Sequence, residues 1–178
     1  MQRCVITGQR EGRAVFASHG GPAEVVAMDK TPGMALIKLW ATSALPVVGD
    51  AASNEFDGRA PFLPAPGESR MCILTFPPDA LMMAPGFDLR AAGEEFAAKQ
   101  PEMAALCETT DPAMHRTDTV DHVLILDGEV WLELDDQEEV LLRQWDVVIQ
   151  NGTRHAWRNR SDKPVTMAVF MVGAERRN

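Results

Sequence analysis

Histidine and carboxylate side chains gather in two short stretches of this chain, 114–128 (MHRTDTVDHVLILDG) and 146–159 (DVVIQNGTRHAWRN). Side chains of an extended chain alternate faces, so His115, Thr117 and Asp121 point the same way if the first stretch is a regular strand. The second stretch offers His155, with Trp157 on the same side of its strand as a flat apolar wall. Two imidazoles and a carboxylate meeting at one point inside a β-barrel make a metal site with open positions. Asp118 would join them if a bulge turned it inward; its competing role is an ion pair with Arg116 or another arginine. His122 has the opposite parity to Asp121, and His19 lies among Gly and Pro residues, so neither is a candidate.

Strands must carry such a site, and the chain is rich in short β-branched or apolar runs bounded by Gly, Pro or Asp. CVIT, AVFA, EVVAM and MALIKLWAT read as strands before residue 42, and RMCILTF as another that Pro77 and Pro78 end. Between them Ala41 to Ser69, with Pro46, Pro61, Pro64 and Pro66, reads as a long irregular loop. One short helical segment is expected over Asp88–Lys99, capped by Asp88, and continuing from Pro101 to Cys107. From Met114 onward strand follows strand, with turns at Asp127-Gly128, near Asp135–Gln137 and at Asn151-Gly152. VDHVLILD is apolar on both parities, so its outer face needs a cover; a second copy of the chain is the expected one, giving a homodimer.

The 178 residues suffice for one domain with a real core. A net charge of −9, from 17 Lys and Arg against 26 Asp and Glu, argues against nucleic acid or an anionic membrane as partner. Arg154, Arg158 and Arg160 cluster around His155 and Trp157 as a local cationic rim, which is not a phosphate track. Cys4, Cys72 and Cys107 are odd in number and lack zinc or redox spacing, which suggests a reducing compartment. MQRCVITGQREGR has no apolar core of a signal peptide, and no run is long enough to span a bilayer. A soluble, cytoplasmic protein is the expectation.

The two stretches resemble the paired motifs of the cupins, small jelly-roll β-barrels whose motifs flank a metal pocket. The first family motif is Gly, five residues, His-x-His, three or four residues, Glu, six residues, Gly. Counted back from Gly128, it places Asp121 at the acid position, Thr117 at the second His and His115 at the first. The second is Gly, five residues, Pro-x-Gly, two residues, His, three residues, Asn; Gly152, His155 and Asn159 match it, and Gln150 replaces the Pro. The opening Gly falls on Gln144, with Trp145-Asp146 looking like its Gly-Asp turn shifted by one residue. HRTDTVD with GTRHAWRN is similar to a subgroup of single-domain cupins that carry a strand-rich N-terminal extension.

The resemblance implies an all-β fold: a cupin-type jelly-roll barrel with an N-terminal strand-rich extension. Residues 1–110 would supply strands, Pro-rich loop and helices packing on the barrel, and residues 111–178 the motifs, together forming one domain. It implies metal ligands His115, Asp121 and His155, with Thr117 where a second His belongs. That set suits a divalent ion such as iron, manganese or zinc. The chemistry would be decarboxylation, isomerisation or dioxygenation of a small organic molecule. The alternative is a non-catalytic module without functional metal, its ligand held by Thr117, Trp157 and Met167 with Arg154 or Arg158 at the mouth.

Overall fold

The computed structural model describes residues 3–49 and 60–177. In chain order the strands are β1 (Ile6–Arg10), β2 (Arg13–Ser18), β3 (Glu24–Ala27), β4 (Ala35–Thr42) and β5 (Ser69–Phe76), then, after the helices, β6 (Thr119–Asp127), β7 (Glu129–Glu133), β8 (Glu139–Arg143), β9 (Val147–Asn151), β10 (Ala156–Arg158) and β11 (Val165–Gly173). The helical segment is two pieces, α1 (Leu89–Lys99) and α2 (Pro101–Ala104), separated because Pro101 has no N–H to continue α1. The Asp88 carboxylate caps α1 by accepting from the Ala91 N–H at 2.9 Å. No helix among the described residues is long and apolar enough to cross a membrane.

The fold is all-β with this short helical segment. A six-stranded sheet runs β3-β4-β5-β11-β6-β9, all antiparallel, and a three-stranded sheet runs β10-β7-β8. The two face each other without closing into a continuous barrel. Apolar side chains from both inner faces form one core: Leu36, Cys72, Met167, Val123 and Ile125 from the larger sheet, Val130 and Leu142 from the smaller. β1 and β2 make a separate two-stranded hairpin.

The Pro-rich stretch is irregular at residues 43–49 and 60–68; its middle, residues 50–59, lies outside the described residues. Its far end is gripped by the Glu102 carboxylate, which accepts from the Phe62 and Leu63 N–H groups at 3.0 and 2.9 Å. Arg70, only 1% exposed, donates to the Pro61 carbonyl at 3.0 Å and to Glu68 at 2.7 Å. Three free cysteines are found, as expected; Cys72 is buried on the inner sheet face.

Two motif positions show how backbone geometry shapes the turns. Gly128 joins β6 to β7 at φ +79°, and a Cβ there would sit 2.6 Å from the Pro164 carbonyl oxygen. Trp145, by contrast, holds φ +74° with a side chain attached, in a turn that Asp146 closes by accepting from the Arg143 N–H at 2.7 Å. This is the left-handed position that a Gly-Asp turn would fill with glycine, and the tryptophan bears the steric cost there while 68% exposed. The two substitutions should therefore act in opposite directions in urea unfolding. Gly128→Ala is expected to cost about 2 kcal/mol or more, and Trp145→Gly to gain about 1 kcal/mol.

Candidate functional site

The expected single strand from residue 115 to 121 does not form. β6 begins only at Thr119, and His115 instead pairs across to His155 in an isolated antiparallel bridge. Each histidine donates its backbone N–H to the other's carbonyl, both at 3.0 Å. Residues directly opposed in an antiparallel pair project to the same side, so the two imidazoles meet with centroids 4.4 Å apart, tilted by 54°. Two residues along, on the same side, Trp157 presents its ring to His155 in an edge-on contact at 5.7 Å.

Both rings are fixed in orientation and tautomer. A carbonyl oxygen can only accept, so the Nδ1 of His115, 3.0 Å from the Ala113 carbonyl, and that of His155, 2.9 Å from the Thr153 carbonyl, each carry the proton in the neutral form. The lone pair is then left on Nε2 of both rings. Gln150 stands at the motif's Pro position; its side-chain amide donates to the same Thr153 carbonyl at 3.1 Å and also contacts the Thr153 hydroxyl. Sequence reading passed over Gln150; the departure from Pro was the signal at that position.

Arginines on either side of His155 hold the approach to His115. Arg154 grips Glu108 with two bonds of 2.6 and 2.7 Å, and Arg158 grips Asp111 through both carboxylate oxygens. Arg154 also meets Asp135, Arg158 meets Glu133, and Arg160 meets Glu139. The expected cationic rim is thus matched by carboxylates, and the loop leading into His115 is tied down at Glu108 and Asp111. The arginines hold these carboxyls below the usual carboxylate range.

Asp121 stands in different surroundings. It lies on β6 between Met171 of β11 and Gln150 of β9, 7% exposed, and its Oδ1 is buried without a hydrogen-bond partner. Burial raises its pKa, and a bond from the Thr119 side chain opposes the rise. Thr119 is in turn 2.7 Å from the Thr117 hydroxyl, so Thr117, Thr119 and Asp121 form a polar line along the chain. Burial, with the Asp121 charge nearby, pushes the Cys72 thiol up to about 12. Met167, expected at the pocket, is fully buried in the core between Leu74 and Ile125. Asp118 pairs with Arg176 at 2.6 Å, the ion pair that competed with a ligand role.

The bridge brings His115 and His155 together, and Asp121 lies on β6 between Met171 and Gln150. Among the described residues no group of three His, Cys, Asp or Glu side chains is placed to hold a metal ion. Two imidazoles alone do not make the two-His, one-carboxylate centre, so the donors as arranged do not fit it.

Burial lowers the pKa of His115, and burial reinforced by His115 lowers that of His155 from 6.5 to about 4. The unfolded chain takes up the His155 proton near pH 6.5, whereas the folded protein resists until about pH 4, so stability falls as pH drops through that window. The loss amounts to about 3 kcal/mol. Asp121, with its raised pKa, contributes in the opposite sense, so the comparison must be with a variant. Urea unfolding from pH 7 to 4 should show the wild type losing about 3 kcal/mol more than His155→Gln; parallel curves would mean that this imidazole is not desolvated.

No protein-family model matches the chain. It is 47% identical over 59 residues to phomopsin biosynthesis cluster protein C' of Diaporthe leptostromiformis, covering 33% of this chain and 31% of that one. It is 39% identical over 62 residues to oryzines biosynthesis cluster protein J of Aspergillus oryzae, 35% of each chain. With the cupin-domain-containing oxidoreductase virC of Hypocrea virens it shares 32% identity over 78 residues, 40% of each. The chain spans about a third of the length of the curated relatives it matches first. Among solved structures, a cupin 2 conserved barrel domain protein of Salinispora arenicola aligns at 13% identity and TM-score 0.42, over 84% of this chain and 82% of that one. An ethanolamine utilization protein of Salmonella typhimurium aligns at 12% identity and TM-score 0.42, over 98% of each.

Proposed function

We propose that this chain is a cupin acting on a small organic molecule, and that it does so where His115 and His155 meet. One observation carries the reading: a buried imidazole, His155, and a half-buried one, His115, lie side by side, each with Nδ1 tied to a backbone carbonyl and its Nε2 lone pair left for a ligand. Paired acceptors of this kind suit a molecule with adjacent O–H or N–H donors, or an enolisable C–H beside a carbonyl. Trp157 would supply an apolar wall against its flat part.

The chemistry that follows is proton transfer of the isomerase type. A proton leaves the ligand's donor atom for Nε2 of one imidazole and returns to a neighbouring atom of the same molecule, with no net change in charge. A His155 pKa of about 4 keeps the ring unprotonated near neutrality and makes it hold a captured proton only briefly. The similarity to proteins named for biosynthesis clusters and to one named a cupin-domain oxidoreductase supports small-molecule work in general.

A metal-dependent reading competes with it, favoured by the orphaned Asp121 Oδ1 and by the unprotonated Nε2 atoms, which are what imidazoles offer to a cation. Metal analysis of protein purified without added metal decides between the two. Substoichiometric iron, manganese and zinc are expected. A panel of small hydroxy and keto acids and enols should then contain ligands that raise the wild-type Tm, with the rise abolished in both His115→Ala and His155→Ala; saturation at a hundred times Kd stabilises by about 2.7 kcal/mol. Stoichiometric metal that disappears in both variants would replace this reading with the metal-dependent one. Ligands that stabilise wild type and variants equally would move the site elsewhere.

A further inference from the structure

On the core side of the six-stranded sheet one buried oxygen stands without a partner. Asp121 shares the inner face of β6 with Thr119, Val123 and Ile125, and its Oδ1 accepts no hydrogen bond. The polar side chains around it are committed elsewhere. The Thr117 and Thr119 hydroxyls meet at 2.7 Å, the Gln150 amide gives its N–H groups to Thr153, and Lys38 pairs with Glu24 at 2.7 Å. The Arg70 guanidinium serves Glu68 and the Pro61 and Ser69 carbonyls. A bare carboxylate oxygen in a buried place destabilises a fold more than a neutral acceptor does, so it calls for a reason other than scaffolding.

Asp121 adjoins the histidine pair from two directions. Along the chain, the linked hydroxyls of Thr117 and Thr119 lie between it and His115. Across the sheet Gln150 stands opposite Asp121, with their Cα atoms about 5 Å apart. Its amide donates to the same Thr153 carbonyl that fixes His155. What the region offers a ligand is acceptors: Oδ1 of Asp121 and Nε2 of each ring. Such a lining takes O–H and N–H groups and repels carboxylates and phosphates, because the inner cations Arg70 and Lys38 already have carboxylate partners. A metal ion needs several donors gathered at one point, and among the described residues no three His, Cys, Asp or Glu side chains are so placed. A hydrogen-bond donor needs only one acceptor.

We propose that Asp121 sets the specificity of the site assigned above to His115 and His155. Its Oδ1 accepts from a hydroxyl or ammonium group of the bound molecule, at the end away from the atoms that meet the imidazoles. The inference rests on that assignment and narrows it: the ligand is a small hydroxy- or aminoketone, without a carboxylate at its far end. Binding then supplies the bond that the fold leaves unmade.

Thermal shift and titration calorimetry on the full chain test this with four ketones that share a hydroxymethyl ketone and differ at the far end. Dihydroxyacetone carries a hydroxyl there, 1-amino-3-hydroxyacetone an ammonium, hydroxyacetone only hydrogen, and hydroxypyruvate a carboxylate. One of the first two, or its homologue longer by one carbon, is expected to bind the wild type at least about tenfold more tightly than either of the last two. Which of the two binds more tightly tells hydroxyl from ammonium. Asp121→Ala should erase the preference. If that variant loses its folded circular dichroism, Asp121→Asn takes its place and should weaken the amino ketone more than the hydroxyl one, since it keeps a carbonyl oxygen without the charge. A ligand that needs both histidines yet binds the wild type and the Asp121 variant alike overturns the inference and leaves the histidine site standing. Preference for hydroxypyruvate overturns it as well. A preference erased in Asp121→Ala but intact in His115→Ala and His155→Ala upholds the role of Asp121 and overturns the histidine assignment. If no probe raises the wild-type Tm, both fall.

Discussion

The backbone bridge between His115 and His155 is the constraint on which the candidate site depends. Its two 3.0 Å hydrogen bonds fix the residues opposite each other and so force both imidazoles to one side. A bridge of one residue pair has no neighbouring ladder to support it, and the surroundings supply that support. Bidentate ion pairs from Arg154 and Arg158 hold the incoming loop at Glu108 and Asp111, and Gln150 and His155 converge on the Thr153 carbonyl. Exposed ion pairs contribute little to overall stability, but a pair of them on one short loop restricts where that loop can go.

The interior of the larger sheet contains a second polar region, which meets the histidine pair at Gln150. Arg70, Met171, Asp121 and Gln150 lie in one row across β5, β11, β6 and β9, all nearly inaccessible to solvent. Arg70 is satisfied by carbonyls and Glu68 at the end of the Pro-rich loop, whereas Asp121 keeps one oxygen unpartnered. An orphaned acceptor in a buried row is costly, and such cost is characteristic of sites where a ligand completes the bonding. The polar line from Thr117 through Thr119 leads toward it from the histidine side.

Much of the architecture was legible along the chain. Period-two runs and turn residues placed most strands to within a few residues, Asp88 and Pro101 marked the starts of the two helices, and VDHVLILD lies in β6, buried on its inner face and half-buried to exposed on its outer one. Gly128 was readable as a turn from the Asp127-Gly128 pair; the structure adds that a Cβ there would meet the Pro164 carbonyl oxygen. What misled was the assumption that one strand carries His115 through Asp121. Period-two parity says which side a residue takes only while the chain stays extended in one sheet, and here β6 begins only at Thr119. The arginines looked like an open rim because their carboxylate partners lie 19 to 47 residues away.

Residue types and local spacing alone determined that this chain would be built of short antiparallel strands, that two histidines and an aspartate were its chemical candidates, and that Trp157 would accompany His155. Tertiary structure alone decided which of these meet. A hydrogen-bonded bridge between residues 40 apart brings one imidazole to the other, while the aspartate stands on β6, which begins only at Thr119. Local propensity is a property of a few neighbouring residues; the closure of a long loop onto a chosen partner is settled by packing and paired charges across the whole molecule.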